Sequence, residues 1–240
     1  MNFQQNFPPK QTTPPPSVPW TPVDVVWGLI IFLVWTLLLG VIGLLAERMA
    51  WSVDLGLLVI FGEAILLVPV WFLTVRKYNV PWENLGLRNF SNWSVGIGCG
   101  LMVLSLLFNL GYAALLSFFD LQIQPDIAIA FENTNYPLML LFGGAVVAPI
   151  VEEIFFRGFV FAGLRGRWSW QTAAVVSAGL FALVHFVPTS ILPILLLGLI
   201  FAFLYQISGS IWPAILMHML TNTVALLSAY AVSQGWMPPV

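Results

Sequence analysis

Long apolar runs separated by short polar links set the pattern of this chain. Seven runs are read, at roughly 24–46, 55–75, 94–119, 136–163, 170–187, 190–207 and 211–232. A bilayer core of about 30 Å takes roughly 20 apolar helical residues to cross. Hydrocarbon leaves no partner for an open backbone, and the strict alternation of barrel strands is absent, so the runs predict helices. The expected architecture is all-α: a polytopic membrane helix bundle of about seven transmembrane helices. Gly143, Gly144, Pro149 and a charged stretch interrupt the fourth run, which predicts a kink or a break there.

Composition agrees with the pattern. Only 8% of the residues are charged while 60% are hydrophobic, against about a quarter charged in a soluble domain. A net charge of −2 without any basic cluster argues against nucleic acid as a partner. The single cysteine, Cys99, excludes an intrachain disulfide and a cysteine zinc site, and its place in an apolar run predicts a small packed residue. Residues 1–22 are proline-rich and have no apolar core, so a flexible tail is expected there rather than a signal peptide. The remainder, 23–240, is expected to be one transmembrane domain.

The links orient the bundle. Arg76, Lys77 and Arg88 with Glu83 lie in link 76–93, and Arg165 and Arg167 in link 164–169. Link 120–135 holds Asp120, Asp126 and Glu132 with no base. The positive-inside rule then puts the N-terminus in the cytoplasm and the C-terminus outside, in what is expected to be a bacterial plasma membrane. Tryptophans at the predicted helix ends, among them Trp20, Trp51, Trp82, Trp168 and Trp212, are expected to be interface anchors. Gly96, Gly98 and Gly100 suggest a close helix contact.

Ionisable groups inside lipid are costly, which singles out Glu152, Glu153, Arg157, His185 and His218. Glu153 and Arg157 are four residues apart with the acid first, the order that favours an ion pair and leaves Glu152 free. Phe181 precedes His185 by four residues and Asn222 follows His218 by four, so each pair shares a helix face. A spare carboxylate, two imidazoles and an amide are groups that polarise water and receive the charge of a tetrahedral intermediate. Glu63, Asn109 and Gln206 are expected to be hydrogen-bonded structural residues. Along its helix His185 lies about 22 Å from Trp170, so that helix must tilt or begin late to bring His185 level with Glu152. Water and substrate are expected to reach Glu152 from the cytoplasmic half.

Three motifs give these residues a family likeness. Glu152-Glu153-Ile154-Phe155-Phe156-Arg157 resembles the EExxxR motif of the CAAX-protease and bacteriocin-processing (CPBP, or Abi) proteins. Phe181 to His185 resembles that family's FxxxH motif, and His218 to Asn222 its HxxxN motif; the motif-bearing core spans about 136–232. The resemblance implies a membrane-embedded protease, called a metalloprotease, acting on a membrane-bound peptide or protein substrate among lipid. It implies that Glu152 activates the attacking water with help from His185. His218 with Asn222 would stabilise the oxyanion or help hold a metal, while Glu153, Arg157 and Phe181 would support. A divalent metal such as zinc on His185, His218 and either Glu152 or Asn222 is one option, and a metal-free Glu–His pair acting on water is the other. An inactive immunity or binding protein of the same fold, or a transporter with a buried charge relay, are the competing functions. No inverted repeat of the kind many transporters carry is visible.

Overall fold

The computed structural model describes residues 15–49, 51, 54–123 and 127–237. Regular structure among them is entirely helical. The membrane elements are α1 (Pro22–Arg48), α2 (Leu55–Arg76), α3 (Trp93–Ser117), α4 (Pro137–Arg165), α5 (Trp170–Leu183), α6 (Ile191–Ser208) and α7 (Trp212–Ser233). Six of these are long and apolar enough to cross a bilayer; α5, at 14 residues, is not. It rises about 20 Å against a core of about 30 Å. A multi-pass integral membrane protein follows.

The links form two ends of opposite charge. At one end Ile211 donates its N–H to the Gly86 carbonyl (2.9 Å) and the Ser210 hydroxyl donates to the Arg88 carbonyl (2.6 Å). Gly86 adopts φ +88°, a conformation open mainly to glycine, so that its carbonyl meets Ile211. Arg76, Lys77, Arg88, Arg165 and Arg167 gather at this end. At the other end Thr189 and Ser190 both donate to the Ile123 carbonyl, and Thr134 donates to the Asp54 carboxylate at 2.8 Å. This acidic end carries Asp54, Asp120 and Glu132 against Arg48 among the described residues. Asp126 lies outside them.

Helix α4 is the axis of the core. Residues Ile154 to Phe161 are all buried and present four phenylalanines, which stack edge-on with one another and with Phe32, Phe181 and Tyr205. Two glycines let neighbours come close: a Cβ on Gly158 would lie 2.6 Å from the Leu85 carbonyl oxygen, and one on Gly198 would lie 2.8 Å from Ala178 Cβ. Helices α1 and α3 instead turn most of their surface outward, as helices bathed in lipid do.

Some expectations change here. Residues 1–14 of the expected tail lie outside the described residues, but Pro15 to Trp20 lie against the bundle. Arg165 holds the Pro15 and Pro16 carbonyls (3.1 and 2.7 Å), and Trp20 is 2% exposed with its indole N–H donating to the Phe159 carbonyl. Trp20 is thus a core residue; its indole satisfies a main-chain acceptor, whereas Trp51, Trp82, Trp168 and Trp212 are exposed near helix ends. Cys99 is exposed rather than packed. Only Gly98 of the glycine series meets another helix, at Met217; a Cβ on Gly96 or Gly100 would meet nothing within 4 Å. Oδ1 of Asn109 and Oε1 of Gln206 are buried without a hydrogen-bond partner, unlike the interhelical bonds expected of them.

Candidate active site

The site starts from the backbone of α4. Pro149 has no N–H and its ring crowds the preceding turn, so the helix widens into a π turn at Gly143–Val147. The Ala148 N–H then goes to the Gly143 carbonyl, five residues back. Gly144 is left with an orphan carbonyl, because the next donor in line would be proline. The Asn222 side-chain amide fills that vacancy at 2.9 Å. Asn222 therefore ties α7 to the break in α4, while its carbonyl oxygen and second N–H remain for other partners.

One turn further, α4 delivers its charges. Arg157 Nη1 donates to Glu153 Oε1 at 2.9 Å, and both side chains are fully buried. Arg157 Nη2 reaches the Gly198 carbonyl at 3.3 Å, a contact made possible by the close approach of α6. Its guanidinium lies over the rings of Phe181 (4.4 Å) and Phe201 (5.2 Å). Removing such an ion from water is affordable only with this many partners. The expected Glu153–Arg157 pair is therefore present, and Phe181 supports it directly.

Glu153 has a second role that spacing alone did not reveal. Its Oε1 also meets His218 Nδ1 at 3.0 Å. A carboxylate can only accept, so Nδ1 carries the proton and Nε2 of a neutral His218 presents a lone pair. That Nε2 lies 3.5 Å from Glu152 Oε2, and Glu152 Oε2 is buried with no hydrogen-bond partner. Phe201 stacks on the His218 ring at 5.0 Å and Phe181 meets it edge-on at 5.7 Å, which fixes the imidazole plane. The arrangement Arg157–Glu153–His218–Glu152 is a chain of charge and polarity that ends on an unsatisfied carboxylate.

His185 follows the last turn of α5. Its Nδ1 is 2.7 Å from the Phe181 carbonyl, an acceptor, so its Nε2 also presents a lone pair in the neutral ring. Phe181 separates the two imidazoles, edge-on to each at 4.9 and 5.7 Å. α5 ends at Leu183, short of the expected run to 187: the chain turns through Phe186 at φ +54° and His185 folds back on its own helix.

A cavity of about 320 Å³ adjoins these groups, lined by Gly144 and Ala148 of α4, Phe181 and His185, Ile194 and Leu197 of α6, and His218, Asn222 and Leu226 of α7. Glu152 is not in its lining, but His218, which is, lies 3.5 Å from the Glu152 carboxylate. Glu63 of α2, expected to be hydrogen-bonded, has a buried Oε2 without a partner and is near enough to Glu152 for like charges to repel.

Two imidazole lone pairs and a carboxylate are donors that zinc accepts. Among the described residues, however, no group of three or more His, Cys, Asp or Glu side chains is arranged to hold a metal ion. His218 Nδ1 is held by Glu153 and His185 Nδ1 by the Phe181 carbonyl, which leaves the Nε2 of each ring open. No step of the proposed reaction is routed through a metal.

Residues 134–224 match the family model described as type II CAAX prenyl endopeptidase Rce1-like. That stretch contains all three motifs and every residue of the chain of contacts from Arg157 to Glu152, so the likeness drawn from the motifs is met by an independent match. The chain is 30% identical over 159 residues to the Bacillus subtilis (strain 168) protein titled "Putative membrane peptidase YdiL", covering 62% of each. It thus spans less than two thirds of that relative's length. It is 28% identical over 175 residues to an Escherichia coli protein titled "Uncharacterized 24.3 kDa protein", covering 69% of this chain and 77% of the relative. No solved structure matches.

Proposed function

We propose that this protein is a membrane-embedded endopeptidase of the CAAX-protease type, hydrolysing a peptide bond in a membrane-embedded or lipid-tethered substrate. The observation that carries this reading is the unsatisfied Glu152 Oε2, 3.5 Å from the Nε2 of a histidine whose other nitrogen is fixed by Glu153. A buried unpaired carboxylate oxygen is costly, and this one lies beside the open nitrogen of an oriented imidazole. This reading puts one water molecule against both acceptors.

In the reaction, Glu152 takes a proton from that water as its oxygen adds to the scissile carbonyl. His218 Nε2 accepts the second hydrogen bond of the water and orients it. The negative charge that develops on the carbonyl oxygen is met by the free N–H of Asn222. When the C–N bond breaks, the proton held on Glu152 passes to the departing amine, and the site returns to its starting state. His185, across Phe181, is available to bind the substrate backbone in the cavity. Arg157 holds Glu153 in place, and Glu153 keeps His218 in the tautomer that serves the water.

The test is purified protein in lipid against a fluorogenic peptide library, with and without chelator. Cleavage that falls at least about a hundredfold in Glu152→Gln, in a protein of unchanged melting temperature, is expected. Undiminished cleavage by that variant contradicts the reading. Chelator is expected to leave the rate unchanged, and a chelator-sensitive rate restored by zinc would replace the metal-free route with a metal-dependent one.

A further inference from the structure

The membrane helices differ in height, and the hydrogen bonds between them show at which end the difference falls. α1 starts at the basic end, where Lys77 holds Asp24, and rises about 39 Å; α3 rises about 36 Å from Trp93. Both clear a core of about 30 Å. α5 stops at Leu183 after about 20 Å, and α6, followed back from Ser208, reaches only about 26 Å at Ile191. The short pair is level with its neighbours at the basic end. Ser177, about 11 Å along α5, donates to the Phe156 carbonyl, about 14 Å along α4 from Arg165. The turn after α6 is tied to Gly86 and Arg88 in the link before α3. The shortfall therefore lies at the acidic end, where the chain turns over through His185 to Ser190 below the level that α1 and α3 reach.

The link that leaves α3 descends to the same level. Six residues after Ser117, the Ile123 carbonyl accepts from the hydroxyls of both Thr189 and Ser190 at the hairpin tip, about 10 Å below the end of α3. Irregular main chain is stable at membrane depth only where protein satisfies its polar groups, as these two hydroxyls do. The side chains around the depression are apolar and turned outward: Phe118 is 83% exposed, Phe186 66% and Leu192 46%. Neither Phe186 nor Leu192 lines the cavity. Exposed Trp51 and Trp236 follow α1 and α7 and suit the interface at the acidic end, whereas the hairpin carries no tryptophan. An apolar span shorter than the hydrocarbon core draws the bilayer thinner around itself. We propose that lipid is thinned against the α5–α6 hairpin, with headgroups lowered to the level of Leu192 and Phe186, and that the partner on this face is a phospholipid with acyl chains short or loose enough to fill that reduced height. The proposal is independent of the peptidase reading.

The test compares two positions at one height. Leu192 on α6 and Leu38 on α1 each lie about 24 Å from the basic end, and both are exposed. In a Cys99→Ala background, Leu192→Cys and Leu38→Cys are spin-labelled and reconstituted in dioleoyl phosphatidylcholine. Depth is read from collisions with a water-soluble nickel chelate relative to oxygen. The label at Leu192→Cys is expected to read about 5 Å shallower than the label at Leu38→Cys, the difference between headgroups at the hairpin tip and headgroups at the edge of an undisturbed core. In dimyristoleoyl phosphatidylcholine, whose thinner core already fits the hairpin, the gap is expected to shrink. Equal depths in the thicker lipid overturn the proposal. A gap that stays the same in both lipids overturns it as well, because the offset would then come from helix tilt. So does a label at Leu192→Cys shielded from oxygen and chelate alike, since protein, such as a second copy of this chain, would then cover the hairpin. Phe186→Cys repeats the measurement from the α5 side, so that loss of fold in one variant leaves the other to decide.

Discussion

Asn109 on α3 and Asn222 on α7 are the same residue in the same kind of apolar helix, and they live under opposite conditions. Asn222 completes the main chain of a neighbouring helix at a carbonyl that Pro149 orphaned, and it borders a cavity. Asn109 holds a buried oxygen that meets nothing. The contrast extends to the helices around them. The most apolar stretch of α4 is 50% buried within the protein, while that of α3 is 17% and that of α1 is 6%. Lipid stabilises apolar surface wherever it lies, so α1 and α3 need few contacts. A polar network cannot rely on lipid and must be satisfied by protein. The Glu153–Arg157 pair lies on α4, one of the two most buried of these helices, whereas α7, at 17%, is no more buried than α3 and contributes through His218 and Asn222.

The largest effect should come from the charges themselves. Glu152→Gln is expected to lose at least about a hundredfold in kcat/KM with its fold intact, whereas Asn109→Leu on α3 should cleave at the parental rate. Equal losses in the two would erase the distinction between the two helices.

Next in size is Arg157→Ala, which leaves Glu153 buried without its cation and is expected to cost about 3–5 kcal/mol in unfolding experiments. Adding Glu153→Gln should recover part of that stability but not the activity, because an amide can turn either its oxygen or its N–H toward His218 Nδ1 and no longer fixes the tautomer. Full recovery of both would mean that Glu153 serves only Arg157.

The two asparagines offer a direct comparison. Asn222→Ala should lose about 1–3 kcal/mol, the penalty for leaving the Gly144 carbonyl unpaired, and should lower kcat more than it raises KM. Asn109→Leu replaces an amide whose oxygen is buried and unpaired by an apolar side chain and should be neutral or slightly stabilising in the same melting assay.

The smallest effect belongs to the basic end. Lys77 donates to the Asp24 carboxylate, and that hydrogen bond holds its ammonium above the usual lysine range. A raised pKa on a cation means that the contact is fully present below the ordinary lysine pKa and is lost as pH rises through the raised value. Lys77→Met is therefore expected to lower Tm by only a few degrees at neutral pH, since half of the Lys77 side chain is exposed, and the gap should close in strongly alkaline buffer.

Helix positions were legible in the sequence because twenty-residue apolar runs have few alternatives, and the motif spacing foretold the Glu153–Arg157 pair. The link from Glu153 to His218 was not legible: it joins residues 65 positions apart, and nothing in either motif names the other as its partner. The role of Asn222 needed the π turn at Gly143–Val147, whose cause, Pro149, was visible although its orphan carbonyl was not. The early end of α5 was hidden because Val184 to Val187 are mostly apolar and continue the run. The seating of Trp20 was missed since a tryptophan at a helix end is equally suited to a lipid interface and to a buried carbonyl.

The central claim is that Glu152 and His218 act on one water as a unit, and a double-mutant cycle tests it most directly. kcat/KM is measured in lipid for the parent, Glu152→Gln, His218→Gln and the double variant, each checked for an unchanged melting temperature. The account predicts that the double variant is no slower than Glu152→Gln alone, because either loss already disables the shared water. Losses that multiply, with each residue contributing independently, would contradict it.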